Sequence, residues 1–333
     1  MKTTLQRCLT TAVSSSGNTQ LTSIFNKLLY LLPGADHIRR SLLVAACLIL
    51  LPAWAHADQL FATVNGTGQN GGGVIFQYNP SGMQSTALTN LDRPRGLAFD
   101  KNNNLFVTTT TATPTHFQGS LWKITPNGQV SAFADAFPQD FFLQGIAIDR
   151  HGNVFVVASD LNDANQASTI FLITPDGTLS TFGSTPGQTF DAAFDKAGNL
   201  FVADTFDQII FKFTPAGVRT VVVGPTAFNA VQAPIGLAFD KSGTLFVSTI
   251  GNPGNDSILK FTPAGAASTF VTGLPGIPRG LAFRANGDLF VAEVGNAAPG
   301  DILRITPRGA IHLFSSGLGR PIGNGGAEFL AFK

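Results

Sequence analysis

The sequence predicts an all-β fold, a six-bladed β-propeller of four-stranded blades, and three observations carry that expectation. The first is a repeat. Gly96-Leu97-Ala98-Phe99-Asp100 returns as Gly145-Ile146-Ala147-Ile148-Asp149, Asp191-Ala192-Ala193-Phe194-Asp195, Gly236-Leu237-Ala238-Phe239-Asp240 and Gly280-Leu281-Ala282-Phe283-Arg284, in steps of 49, 46, 45 and 44 residues. That is the length of one propeller blade. The second is turn chemistry, with a Pro-x-Gly turn at Pro80, Pro126, Pro175, Pro215, Pro263 and Pro307. The third is a pair of complementary ends. Leu60-Phe61-Ala62-Thr63-Val64 is a second strand with no inner strand before it, and Phe329-Leu330-Ala331-Phe332-Lys333 is an inner strand with nothing after it. Together they make one blade, so the last strand is expected to pair into the first blade and remove the open edges.

Within a repeat the inner strand is followed by a Leu-Phe-Val second strand, as at Leu105-Phe106-Val107. The joint between them is rich in Asp, Asn and Gly, as in Asp149-Arg150-His151-Gly152-Asn153, residues that tolerate the positive φ of tight hairpins. A third strand such as Ser257-Ile258-Leu259-Lys260-Phe261 runs into the Pro-x-Gly turn, and a fourth such as Ala267-Ser268-Thr269-Phe270-Val271 completes the blade. Trp122 aligns with Phe171, Phe211, Leu259 and Leu303 and is expected in the core.

Residues 1–57 are of another kind. Arg39-Arg40 precede the apolar run Leu42–Leu51, then Pro52 and the small-residue site Ala55-His56-Ala57. A basic pair, a short apolar stretch and an Ala-x-Ala site predict a secretory signal cleaved after Ala57, with a run too short to span a bilayer comfortably. Val44-Ala45-Ala46-Cys47 resembles a lipoprotein box but has almost no apolar stretch ahead of it, and Arg39-Arg40-Ser41-Leu42-Leu43 resembles a twin-arginine signal. The expectation is a leader over 1–57 and a propeller over 58–333, in the periplasm or outside the cell. Removing the leader leaves 16 basic and 19 acidic residues, a net charge of −3, which offers no basic field for nucleic acid. Both cysteines, Cys8 and Cys47, leave with it, so residues 58–333 hold no disulfide and no cysteine nucleophile.

Antiparallel order puts the start of the inner strand and the end of the second strand on one face of the disc. The loops there vary: Thr110–Gly119, Leu161–Ser168, Gly251–Asp256 and Gly295–Gly300 within blades, and Ala134–Phe142, Gly224–Pro234 and Gly317–Ala327 between them. The other face carries only uniform turns. Variation on one face of a repeat protein marks it as the binding face. Residues just before each inner strand are expected to ring the mouth of the central channel: Glu328, Arg95, Gln144, Phe190, Ile235 and Arg279. Asp191 opens its inner strand, and Asp204 and Glu293, at the ends of second strands, are expected to point to the same mouth. Mixed guanidinium and carboxylate groups suit a small polar or anionic ligand, or else a network of ion pairs that closes the channel.

No Gly-x-Ser-x-Gly elbow, His-x-x-x-His pair or phosphate loop is present. Among the histidines of residues 58–333, His151 lies in a uniform turn and His312 in an outer strand. His116, in the Thr-rich loop of the variable face, is the one candidate for a functional role. Tyr78 and Trp122 are the only Tyr and Trp of that region, a scarcity that weighs against a sugar-stacking lectin site.

The Pro-Arg-Gly-Leu-Ala-Phe-Asp…Leu-Phe-Val unit at Pro94–Val107 resembles an NHL-type repeat, and with it the wider six-bladed group of gluconolactonases, regucalcin and strictosidine synthase-like proteins, over residues 58–333. In the gluconolactonase-like family a divalent cation (Ca or Zn) sits in the mouth on a Glu and on Asn or Asp residues, and at those steps only Glu328 matches here. Arg95 and Arg279 stand where oxygen ligands are wanted, and Phe190 and Ile235 offer none. The expected protein is therefore a monomeric, exported binder of a protein or small polar ligand on its loop-rich face. A metal-dependent lactonase or hydrolase with a rearranged site is the alternative, and a lyase acting on a cyclic ester a third reading.

Overall fold

The computed structural model describes residues 58–65, 71–228, 232–251, 256–295, 300–318 and 326–333. The expected leader over 1–57, its expected cleavage site and both cysteines lie outside the described residues, as do parts of the loops between 224 and 234, 251 and 256, 295 and 300, and 317 and 327. Residues 58–333 form one compact unit. Among the described residues are 24 strands in six four-stranded antiparallel sheets, the blades of a propeller. The first strand, Leu60–Val64, pairs with the last, Ala327–Phe332, in the register Leu60↔Phe332, Phe61↔Ala331 and Ala62↔Leu330. This sheet is blade one, and the rest follow in chain order as blades two to six. Each inner strand contacts the inner strands of both neighbours, so the ring is closed.

Side-chain alternation along each strand explains why the chain folds this way. A blade buries both faces, and the core is divided into six clusters, one in each seam between blades. In the second strand of blade four, Leu200–Asp204, positions one and three (Leu200 and Val202) face blade three, where they meet Ala147 and Val157. Positions two and four face the next blade. The Phe at position two meets the inner-strand Phe beyond it edge to face: Phe61–Phe99, Phe155–Phe194, Phe201–Phe239, Phe246–Phe283 and Phe290–Phe332, with ring centroids 4.9–5.1 Å apart. That geometry is favourable beyond the area it buries, and it accounts for much of the high Phe content.

The glycines of the six Pro-x-Gly turns all sit at φ between +79° and +89°, which an L side chain resists. One loop differs from expectation. Thr110–Gly119 is mostly strand: Leu105–Ala112 and Phe117–Ile124 stay paired to Ala112↔Phe117, leaving only residues 113–116 as the turn. The run Thr108–Thr111 is β-branched throughout and continues the ladder.

Candidate functional site

The rim of the channel is built from a β-bulge repeated in the inner strands. Pairing with the second strand skips between Leu143 and Ile146, Thr189 and Ala192, Pro234 and Leu237, and Pro278 and Leu281. The skipped pairs are Gln144-Gly145, Phe190-Asp191, Ile235-Gly236 and Arg279-Gly280; in blade one Glu328-Phe329 oppose Thr63 alone. In blade two, Arg95-Gly96 exchange the equivalent bonds with Thr108 just ahead of the strand Leu97–Phe99. The rim residues therefore belong to bulges and, apart from Arg95, lie within the strands themselves. A bulge leaves its extra residue out of the ladder and re-aims its side chain. Contacts across the ring show where they aim. Blade-two Arg95 stands 5.9 Å from the Phe190 ring of blade four, and blade-six Arg279 stands 5.2 Å from the same ring.

Hydroxyls hold the rim in place. Thr63, Thr108 and Ser248, each fourth in its second strand, donate to the carbonyls of Arg95 (2.7 Å), Gln144 (2.8 Å) and Arg279 (2.7 Å) in the next blade. The recurring Thr or Ser after Leu-Phe-x is the sequence signal for these hooks, one that the spacing of the repeat does not reveal. The glycine that follows four of the six rim residues admits the neighbouring strand: a Cβ on Gly236 would lie 2.0 Å from the Arg279 carbonyl oxygen. Blade four has Asp191 at this step. Its carboxylate accepts from Ala192 N (2.8 Å) and, across the seam, from Leu237 N (3.0 Å). Burial pushes its pKa up to about 7 against those two bonds.

The electrostatics of the mouth are uneven. Arg95 Nη1 lies 3.3 Å from Glu328 Oε2, with the side chains 12% and 1% exposed. Its guanidinium stands over Phe142 at 5.0 Å. Burial lowers the Arg95 pKa from its ordinary value, Glu328 opposes this and Arg279 adds to it. Arg279 has no carboxylate within ion-pair distance among the described residues. The Nε atoms of Arg95 and Arg279 and the Oε1 of Gln144 are buried without a hydrogen-bond partner there, and Gln144 is 2% exposed. The structure thus brings Arg95, Gln144, Phe190, Arg279 and Glu328 to the rim, with Asp191 in the wall beside them.

Asp204 and Glu293 are elsewhere, contrary to expectation. Each is fifth in its second strand, so alternation turns it into a seam with positions one and three. Asp204 faces blade three and accepts from Gly187 N and Asp207 N, both at 3.0 Å. Burial raises its pKa to about 6 in spite of these amides. Glu293 faces blade five; Asp256 of that blade and Asp301 of its own blade are its charged neighbours. His116 closes the blade-two hairpin, its Nδ1 3.0 Å from Thr115 Oγ1. Trp122 is half-buried and donates Nε1–H to Thr109 (3.0 Å). His151 is in the turn of the uniform face and His312 in the exposed outer strand of blade six, as expected.

The mouth does not fit the divalent cation that the family resemblance implies. Glu328 is already engaged by a guanidinium, and a second stands where further oxygen ligands would be needed. Among the described residues no group of three or more His, Cys, Asp or Glu is placed to hold a metal ion, and no helix is long and apolar enough to cross a membrane.

No protein family's sequence profile matches the chain, and no curated protein does. Solved structures do. A catalytically inactive virginiamycin B lyase from Staphylococcus aureus with quinupristin is similar at 17% identity and a TM-score of 0.54, over 78% of this chain and 85% of that one. A putative gluconolactonase is similar at 18% identity and TM-score 0.54, over 71% and 81%. TolB from Acinetobacter baumannii reaches TM-score 0.61 at 11% identity, over 83% and 67%. At such identities the likeness is one of fold alone; the six blades that the NHL-like repeat implied are seen in this chain's own sheets.

Proposed function

We propose that the protein binds a small organic anion, a carboxylate in the first instance, in the channel mouth of its loop-rich face. The supporting observation is the unmatched Arg279. The mouth holds two guanidinium groups and one carboxylate, and that carboxylate is committed to Arg95. Arg279 and the unpartnered Gln144 amide are then available to a ligand's carboxylate and to a neighbouring polar group. Phe142, Phe190 and Ile235 supply an apolar collar, which strengthens an ion pair by excluding water.

Calorimetric titration of residues 58–333 with a panel of small mono- and dicarboxylates tests this. At least one should bind, and Arg279→Ala should weaken it by about a hundredfold, as expected for loss of a charge-assisted contact, with an unchanged melting temperature. Arg95→Ala is expected to cost stability as well, because it leaves Glu328 buried without its counter-charge. Hydrolysis of a lactone or ester, lost on Glu328→Gln together with a bound divalent ion, would establish the hydrolase reading instead.

We also propose that the protein is exported. The arrangement of Arg39-Arg40, the apolar run and Ala55-His56-Ala57 supports this. N-terminal sequencing of the exported protein should begin at Asp58. A lipid-modified start at Cys47 would show a lipoprotein.

A further inference from the structure

On the face opposite the mouth, each inner strand of blades two to five ends in an Asp followed by a cation: Asp100-Lys101, Asp149-Arg150, Asp195-Lys196 and Asp240-Lys241. The carboxylates are spent on their own turns. Asp149 accepts from His151 N (2.8 Å), Asn153 N (2.9 Å) and Asn153 Nδ2 (2.8 Å), and Asp195 accepts from Asn199 N and Nδ2 (both 2.8 Å). The cations extend beyond those turns. In blades four and five they cross the seam and tie the blades together, Lys196 Nζ to the Lys241 carbonyl and Lys241 Nζ to the Ala285 carbonyl. Blade three differs. Its cation is Arg150, and the Nε turns back to His151 Nε2 of the same turn (3.2 Å). At this seam, between blades three and four, a cavity of about 380 Å³ opens to the surface.

The cavity has two kinds of wall. Its floor is Leu172 and the edge-to-face trio of Phe155 with Phe182 and Phe194, centroids 4.9 and 5.1 Å apart. Phe182 and Phe194 are only half-buried, so aromatic surface is left uncovered inside the opening. Its rim carries Arg150, His151 and Lys196, with Asp149 and Asp195 held in their turns beneath. The volume lies at the small end of the range for organic ligand sites, roughly 300–1,000 Å³. A neutral ligand would leave the Arg150 guanidinium without a counter-charge, and an inorganic anion would leave the phenylalanine surface wet.

We infer that this seam is a second binding site, distinct from the mouth, for a small amphipathic organic anion: an aromatic ring system carrying a carboxylate or sulfonate. The ring lies against Phe182 and Phe194, where edge-to-face and offset contacts are favourable. The acidic group reaches Arg150, whose guanidinium stays over its own turn instead of crossing to the next blade. The inference does not depend on what the mouth binds.

Anilinonaphthalene sulfonate is a suitable probe because it joins an aromatic body to one anionic group and fluoresces when its rings leave water. Phenylnaphthylamine, the same rings without the sulfonate, is the neutral control. Residues 58–333 should bind one equivalent of the sulfonate with a blue-shifted emission, and the neutral control more weakly. Arg150→Glu lies in an exposed turn and should keep its melting temperature while weakening the sulfonate at least about tenfold, since an attractive charge becomes repulsive. Leu172→Trp, which fills the floor, should weaken both dyes. Arg279→Ala should leave both unchanged. Sulfonate affinity that survives the charge reversal at Arg150, or that is lost with Arg279, would overturn the inference, and so would binding of several equivalents.

Discussion

Deletion of Phe329–Lys333 is expected to lower the melting temperature by more than about 10 °C, far beyond an average point substitution. These residues supply the inner strand that closes the ring. Leu330 and Phe332 pair with Ala62 and Leu60, Phe329 N donates to Thr63 Oγ1 (3.1 Å), and Lys333 N donates to the Gln59 carbonyl (3.0 Å). Phe329 and Leu330 are buried, and Phe332 packs on Phe290 of blade six. Burial of a large apolar side chain contributes about 1.5–3 kcal/mol, so these side chains alone account for several. Their removal also strips hydrogen bonds from the first strand and leaves an apolar edge open. Because blade one is the seal between blades six and two, two seams lose packing at once. A circular-dichroism melt of the truncated chain makes the comparison; a midpoint within about 3 °C of the intact protein would show that this strand does not close the ring.

Glu293→Gln is expected to stabilise the protein at alkaline pH and to leave it unchanged in acid. Glu293 is 1% exposed, and neither carboxylate oxygen has a hydrogen-bond partner among the described residues. Burial raises its pKa from 4.5 to about 8; the Gly276 N–H faces it outside hydrogen-bond geometry and opposes the shift, while Asp301 and Asp256 add to it. The folded protein therefore keeps a proton that the unfolded chain gives up near pH 4.5. Between about pH 4.5 and 8 the folded state binds more protons than the unfolded state, so stability falls as pH rises, and above about pH 8 the penalty is constant. Every tenfold difference in proton affinity between the two states corresponds to about 1.4 kcal/mol, which puts the full penalty at a few kcal/mol. Glutamine removes the titration and keeps the shape. Melting curves of both proteins should coincide near pH 4 and separate progressively to about pH 8.5, with the variant higher by several degrees. Asp191 and Asp204 titrate in the same window in both proteins and cancel in the difference. A variant less stable than wild type at the alkaline end would mean that Glu293 has a partner it needs.

Much of the architecture was legible in the sequence because a propeller blade is a local object. The steps between inner strands, the Pro-x-Gly turns and the complementary strands at Leu60–Val64 and Ala327–Phe332 are each encoded within about 50 residues or by direct similarity between copies. The rim residues were also legible: Arg95, Gln144, Ile235 and Arg279 precede the same glycine, and Phe190 and Glu328 hold the equivalent step before Asp191 and Phe329. Other features followed from rules that a repeat alignment does not apply. Asp204 and Glu293 end the right strands, but period-two alternation sends the fifth residue into a seam, and counting from Leu200 or Leu289 exposes this. Thr110–Gly119 varies between copies, yet variation alone does not separate a longer hairpin from a longer loop.

What the sequence determined by itself was the repeat and its closure, hence the fold and the set of side chains able to reach the axis. What only the tertiary structure decided was which of them meet. Arg95 pairs with Glu328 across 233 positions of chain, Arg279 faces Phe190 with no carboxylate beside it, and Arg150 turns back to His151 while Lys196 and Lys241 cross their seams. The physical reason is range. Strand and turn preferences act over a few residues and recur in every blade, whereas a pairing across the ring depends on six bulges, six seams and their closure at once.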